Sequence, residues 1–338
     1  MATQAADPRV RAGWLRGIGA LHEESWTAPD VRRRLQLALA GIWLLDAVLQ
    51  FQAFMFSKGF SQMLGGTAAG NPAVIADPIN WSAKIIAEHG TVTNAIFAFI
   101  QLIIALGIAW RPTLKLALGA SIVWALGVWW FGEGLGGVLN GVGSPANGAP
   151  GAVIIYALLA VLLWPGRRDR AAPFIAGRFT GANAARALWL VLWGSLAYLT
   201  LLPATRAPKA LGAMVSAMAS GQPSWLSSVD NHLGAFLTGH GPAVAVILAV
   251  ALALVAVSVY LPRPAARVGV VLAIVTAAFI WMAEGLGGIL TGGGTDPNSG
   301  LLLALLAVAF WPLAGMALSA TGQPDLVATS QPVSPEGA

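Results

Sequence analysis

The chain has 338 residues, of which 57% are hydrophobic and 10% are charged, and its mean hydropathy is +0.72. Soluble proteins carry about 25% charged residues, so the composition excludes a water-soluble enzyme and excludes disorder for most of the chain. Cysteine is absent, which excludes disulfide, iron–sulfur and thiol chemistry. The net charge of +5 comes with an arginine excess that is typical of membrane orientation and does not indicate nucleic-acid binding.

Residues 1–34 are polar and charged, which predicts a cytoplasmic N-terminal arm without a cleavable signal peptide. Within this arm, the stretch Val10–Leu21 is consistent with a helix on the membrane surface or with a loosely ordered segment. At the other end, residues 319–338 are rich in Pro, Ser and Gln, which predicts a disordered cytoplasmic tail.

Eight continuous apolar segments lie between these ends. A helix needs about 20 apolar residues to cross the hydrocarbon core, and continuous runs favour helices over strands. The sequence therefore predicts an all-α polytopic membrane protein with eight transmembrane helices, two of them short. The predicted spans are Leu35–Phe56, Val92–Trp110, Leu114–Gly132, Gly151–Trp164, Ala187–Leu202, Pro242–Leu261, Val268–Ile289 and Gly300–Leu318.

The basic residues predict the orientation. With eight spans and a cytoplasmic N-terminus, 15 Lys and Arg residues fall on the cytoplasmic side and 4 on the outer side. We therefore expect a multi-pass cell-membrane protein with both termini in the cytoplasm. The Arg-rich linker 167–185 is then also cytoplasmic.

An internal duplication divides the chain into residues 35–166 and 186–318. Much of the match has a constant offset of 151 residues, which pairs His89 with His240 and the motif starting at Glu133 with the motif starting at Glu284. Because each unit has an even number of predicted spans, the two four-helix units are expected to be parallel repeats about an axis along the membrane normal. Each unit also has a long outer segment, Ser57–Thr91 or Pro203–Gly239, that is consistent with an interfacial helix or an ordered loop.

Glu133 and Glu284 are the first candidate functional residues, because ionisable groups in or beside membrane spans are rare and often functional. At about 1.5 Å per residue from Lys115, Glu133 lies about 27 Å along its helix, at the outer edge of the hydrocarbon core. Each glutamate could line a small outward-facing pocket and carry a proton, or it could bind a neighbouring helix end and fix the bundle. The glycines that follow are consistent with a close-packed helix face or with a helix C-cap.

His89 and His240 precede the second predicted span of each unit, at the same spacing from Glu133 and Glu284. A His–Glu pair within hydrogen-bonding or one-water distance could share a proton or orient the imidazole. The alternative is a histidine that caps a helix start at the interface. Two ligands are too few for a typical zinc site, so we assign no metal.

Asp46 is the carboxylate nearest the middle of the bilayer, and Gln50 lies one turn away on the same helix face. Asp46 should face the protein interior because a lipid-facing carboxylate is costly. It could form part of a proton path or act as a polar lock between helices. Trp129, Trp130 and Trp281 lie within about a turn of the glutamates, where they could form an aromatic wall for a flat ligand such as a quinone or serve as interface anchors.

The arrangement of a first helix, a long outer segment and three closely spaced helices resembles the DoxX-like superfamily, as does the W-x-x-E-G-L-G-G run at Trp130–Gly137 and Trp281–Gly288. The chain looks like a duplicated, largely uncharacterised bacterial member. Members of that superfamily include membrane subunits linked to quinone and sulfur oxidation, which implies a redox partnership here.

Three functional hypotheses remain after phosphate-binding, zinc-protease and serine-hydrolase motifs are found absent. The first is a redox-associated accessory that binds a quinone or a partner subunit at outer-leaflet pockets. The second is a small-solute or proton-coupled transporter with two pseudo-symmetric halves. The third is a structural or assembly subunit of a membrane complex. The sequence holds no self-contained catalytic motif, and the partners expected are the lipid bilayer and a membrane protein, not nucleic acid.

Overall fold

The computed structural model describes residues 30–166 and 172–313, and this part of the chain is helical with no strand. The first half contains α1 (Val31–Leu49), α2 (Lys58–Gly66), α3 (Ala73–Ala109), α4 (Leu114–Phe131) and α5 (Ala152–Leu162). The short α6 (Gly177–Thr180) lies in the linker. The second half contains α7 (Ala182–Thr200), α8 (Pro203–Arg206), α9 (Ala210–Met218), α10 (Ser224–Ser258), α11 (Arg263–Ala283) and α12 (Asn298–Ala309).

Four helical stretches in the described residues are long and apolar enough to cross a membrane: Ala73–Ala109, Arg111–Phe131, Ser224–Ser258 and Arg263–Ala283. The prediction of eight spans is matched only in part. The helices α1 and α7 have 19 residues each but carry polar and charged groups, and α5 and α12 have 11 and 12 residues. The protein is therefore an all-helical multi-pass membrane protein by the length and composition of these four stretches.

The segments Ser57–Thr91 and Pro203–Gly239 are largely helical, so the alternative of an ordered loop is wrong. Each begins with one or two short helices and then continues into the long helix α3 or α10, which also contains the following predicted span. In α3 the helix axis kinks at His89, whose backbone angles are φ −129° and ψ 34°. The kink separates the outer half of α3 from the half that contains the apolar span.

The Glu-Gly-Leu-Gly-Gly motifs end helices α4 and α11, and the glycines do not extend a helix face. Each motif forms a tight turn in which the leucine is left-handed, with φ 55° at Leu135 and φ 53° at Leu286. The next residue, Gly136 or Gly287, also has a positive φ, of 62° or 70°. The turn reverses the chain and directs each glutamate toward the start of the last helix of its half.

One hydrophobic core runs through both halves. Trp43 and Tyr156 in the first half, and Trp189, Trp193 and Phe310 in the second, are among its largest fully buried side chains. Helices α5 and α12 contact each other across the boundary between the halves.

Several predicted boundaries differ from those of the helices. Helix α1 begins at Val31, four residues before the predicted start, because the Asp30 side chain accepts a hydrogen bond from the backbone N–H of Arg32 at 3.0 Å. The described end of the linker packs on the second half, where Ala176 N–H donates to Ala309 O at 3.0 Å. The expectations for Val10–Leu21 and for the tail 319–338 lie outside the described residues.

Candidate functional site

A cavity of about 780 Å³ lies in the first half, and this volume is within the usual range for small-molecule sites. Helices α1 to α4 supply most of its lining, and the loop before α12 closes its polar end. Its apolar and aromatic lining includes Trp43, Phe60, Met63, Leu64, Trp81, Ile86, Phe97, Ile100, Ile104, Val123, Trp124, Val128 and Phe131. Its polar lining includes Asp46, Gln50, Thr67, Ser82, Gln101, Glu133, Asn147, Thr295, Asp296 and Asn298.

Polar atoms without a protein partner converge on this cavity. Asp46, Gln50 and Gln101 line it although their side chains are only 2%, 4% and 8% exposed. Oδ1 of Asp46 and Oε1 of both glutamines have no hydrogen-bond partner in the structure, and the same holds for Nε1 of Trp124. An unpaired buried polar atom costs about 1–3 kcal/mol, so this end of the cavity favours a ligand that forms hydrogen bonds with these atoms.

Asp46 is held in place by a hydrogen bond from a buried side chain of the core. Its Oδ2 accepts a hydrogen bond of 2.5 Å from the Tyr156 hydroxyl of α5. The neighbouring Trp43 ring packs on Tyr156 with a centroid distance of 4.3 Å and donates to Ser121 Oγ at 3.0 Å. Asp46 is therefore both a lock between α1 and α5, through Oδ2, and a wall of the cavity, through Oδ1.

Glu133 lines the same cavity. Its Oε1 accepts a long hydrogen bond from Val153 N–H at 3.4 Å, while Oε2 has no hydrogen-bond partner. Burial raises the pKa of Glu133 well above its usual range, and the nearby charge of Asp296 raises it further. Asp296 comes from the loop before α12, so the second half of the chain contributes a charged wall to the cavity of the first half.

Glu284 has a different environment and does not line the cavity. Its side chain is 1% exposed, and it accepts hydrogen bonds from the Ser299 hydroxyl and from Gly300 N–H. Val153 N–H donates to Glu133 as Gly300 N–H donates to Glu284. The residues that precede these donors, Ala152 and Ser299, therefore occupy equivalent positions in the two halves. The Ser299 hydroxyl, which has no counterpart in the first half, thus donates to Glu284. Through these hydrogen bonds Glu284 joins the end of α11 to the start of α12.

Neither histidine is hydrogen-bonded to its glutamate. His89 and His240 are exposed, and neither lines the cavity. His240 Nδ1 lies 2.9 Å from Phe236 O, one turn earlier in α10, and its ring stacks on Phe236. His89 occupies the kink of α3 and is not at the start of that helix.

The three tryptophans predicted as an aromatic wall have structural contacts away from the cavity. Trp129 donates to Pro150 O at 2.7 Å, Trp281 donates to Pro297 O at 2.8 Å, and Trp130 donates to Val74 O at 3.2 Å. Trp129 rather than Trp130 is therefore the counterpart of Trp281. The one-residue shift arises because Glu133 N–H bonds five residues back to Val128 O, a π-type turn that adds a residue before Glu133.

The sequence analysis overlooked Gln101, Trp124 and Tyr156. Gln101 is a polar side chain within a predicted apolar span. The same signal pointed to Asp46 and could have pointed to Gln101. Tyr156 is one of only three tyrosines and lies within the shortest predicted span. In the described parts of the chain, no group of three or more His, Asp or Glu side chains is arranged to hold a metal ion.

Comparison with known proteins adds no family to this description. No protein-family model matches the chain, and neither a curated protein nor a solved structure matches it significantly.

Proposed function

We propose that the protein binds a quinol-class molecule in the cavity of its first half, as a redox-associated membrane protein of DoxX-like type. The observation that carries the proposal is the convergence of unpartnered acceptor atoms from Asp46, Gln50, Gln101 and Glu133 on one apolar, aromatic cavity. Hydroxyl groups of a reduced quinone would donate to these oxygens, and its flat ring would contact the aromatic lining.

Three of the lining residues, Asp46, Glu133 and Asp296, are acidic, and no basic side chain of the described residues lines the cavity. The unpaired amide oxygens of Gln50 and Gln101 accept hydrogen bonds and cannot donate them. The reduced, hydroxyl-bearing form of the ligand is therefore expected to bind more tightly than the oxidised carbonyl form.

Binding has more support than transport. On the cytoplasmic side of Asp46, the core is closed by fully buried side chains such as Leu39, Trp43 and Leu159. The ligand therefore has a site on the outer side of Asp46 and no open route past it.

The proposed topology has eight spans in two parallel repeats, with both termini in the cytoplasm. The basic-residue asymmetry, the constant sequence offset and the matching turns at Leu135 and Leu286 support it. The loop before α5 is buried from Gly143 to Ala146 and from Gly148 to Pro150, as non-helical backbone at membrane depth must be. Reporter fusions at both termini test this topology, and an outer location for either terminus would contradict it.

Binding can be measured by quenching of tryptophan fluorescence, since Trp43, Trp81 and Trp124 line the cavity. The protein in lipid nanodiscs is titrated with a tailless benzoquinol and with the corresponding benzoquinone. We expect Gln101→Leu to weaken quinol binding about tenfold, because a buried hydrogen bond is worth about this factor.

The matched control is Gln62→Leu, at an exposed position of α2 that does not line the cavity. Equal quinol affinity in the wild type, Gln101→Leu and Gln62→Leu would reject the site.

A further inference from the structure

The cavity reaches the lipid-facing surface of the bundle through the groove between α3 and α4. Val123 lines the cavity and is 74% exposed, so one side of this residue faces the cavity mouth and the bilayer. At about 1.5 Å per residue, Val123 lies about 12 Å along α4 from Lys115, within the hydrocarbon region of the proposed topology. In the proposed topology the mouth therefore opens into lipid.

Small residues leave space along α4 at this mouth. Ala120 and Gly127 line the cavity one turn to either side of Val123 and Trp124. A Cβ atom built on Gly127 would meet no atom within 4 Å, so the groove beside it is open. The facing residues of α3, Phe97, Ile100 and Ile104, are apolar.

Two aromatic rings bridge this groove. Phe97 of α3 and Trp124 of α4 are half-buried and meet edge to face, with ring centroids 5.4 Å apart. Both rings line the cavity, and Trp124 Nε1 has no hydrogen-bond partner. Rotation of either side chain would widen the groove without moving a helix.

We propose that this groove is a lateral portal through which a long-tailed isoprenoid quinol enters from the bilayer, with the Phe97–Trp124 ring pair as its gate. The proposal rests on the proposed function, because it assigns the head group to the polar end at Asp46, Gln50 and Gln101. The tail extends past Gly127 and remains in contact with lipid. The ligand class is thereby narrowed from any quinol to one dissolved in the membrane.

The test compares two probes in the same nanodiscs: a tailless dimethoxy-methyl benzoquinol and the same ring with a decyl tail. Gly127→Leu fills the groove. We expect it to weaken binding of the tailed probe about tenfold more than binding of the tailless probe, because overpacking a contact costs about this factor.

The control is Gly41→Leu, an exposed glycine of α1 outside the cavity lining that also has nothing within 4 Å of its built Cβ. Ala120→Leu is a second obstruction of the groove, in case Gly127→Leu does not fold. Phe97→Ala opens the gate and should speed association of the tailed probe.

The outcomes separate the two proposals. If the wild type binds the tailless probe and the groove variants bind both probes like the wild type, the portal is overturned while the quinol site stands. If the wild type binds neither probe, the proposed function itself fails.

Discussion

The Tyr156 hydroxyl donates a 2.5 Å hydrogen bond to Oδ2 of Asp46, and both side chains are buried in the first half of the bundle. The bond leaves Oδ1 of Asp46 free to line the cavity. It joins α1 to α5 and also sets the direction in which the carboxylate faces. A single contact therefore serves both the stability of the bundle and the geometry of the candidate site.

Tyr156→Phe should destabilise the protein, because it removes the donor to Oδ2 and leaves that atom buried without a partner. We expect the free energy of unfolding to fall by about 1–3 kcal/mol. Thermal unfolding in detergent measures this change. Tyr260→Phe is the control, since Tyr260 is 51% exposed. Equal melting temperatures for the two variants would contradict the structural role of the bond.

The apolar runs predicted the helical class because burying backbone polar groups in lipid requires helices. They did not predict that the helix of the second span begins as early as Ala73, because the residues before His89 are more polar than a span. Asp46 and Glu133 were found because carboxylates are conspicuous among apolar residues. Gln101 and Trp124 were missed because their importance depends on contacts between α3 and α4 that no local pattern encodes.

The sequence duplication also suggested two equivalent sites, whereas the structure gives the two glutamates different surroundings. One position decides the difference, since Ser299 satisfies Glu284 while Ala152 leaves Oε2 of Glu133 unpaired. This difference between alanine and serine becomes evident only when Val153 and Gly300 are recognised as equivalent backbone donors in the two halves.

Ala152→Ser should give Glu133 the same hydrogen-bonding surroundings that Glu284 has. The new hydroxyl would donate to Glu133, as Ser299 does to Glu284. We expect stability to rise by about 1 kcal/mol, the net value of one hydrogen bond, and quinol binding to weaken. Calorimetry and fluorescence quenching on the same sample measure the two effects.

The reciprocal change, Ser299→Ala, should lower the free energy of unfolding by about 1–3 kcal/mol because it leaves buried Glu284 without that donor. It should leave ligand affinity unchanged, since Glu284 and Ser299 do not line the cavity. A loss of affinity in Ser299→Ala comparable to that in Ala152→Ser would show that the two glutamates are not functionally distinct.

Gly136→Ala and Gly287→Ala should each prevent correct folding. Both glycines have a positive φ, and a Cβ atom would lie 2.0 Å from Pro150 C or 2.4 Å from Pro297 C, which are backbone atoms that cannot move aside. The yield of monodisperse protein in size-exclusion chromatography should fall sharply. Gly41→Ala, in the open face of α1, should be neutral or stabilising by about 0.5–1 kcal/mol. Normal yields of all three variants would mean that the tight turns are not required.

Asp296 should make the protein less stable as pH rises. Burial raises the pKa of Asp296 above its usual value, although hydrogen bonds from Thr295 and Asn298 oppose the shift. The folded protein therefore holds this proton more tightly than the unfolded chain. Between the unfolded pKa of about 3.9 and the raised folded pKa, the folded state binds more protons, so its stability must fall as pH increases and then level off.

Asp296→Asn removes this titration while keeping the side-chain oxygen that accepts from Asn298 N–H at 2.7 Å. Its melting temperature, measured from about pH 4 to pH 8, should therefore decline less with pH than that of the wild type. The exposed Asp77→Asn serves as the control and should follow the wild type. If Asp296→Asn instead showed the wild-type slope, titration of Asp296 would not be the cause of the loss of stability with rising pH.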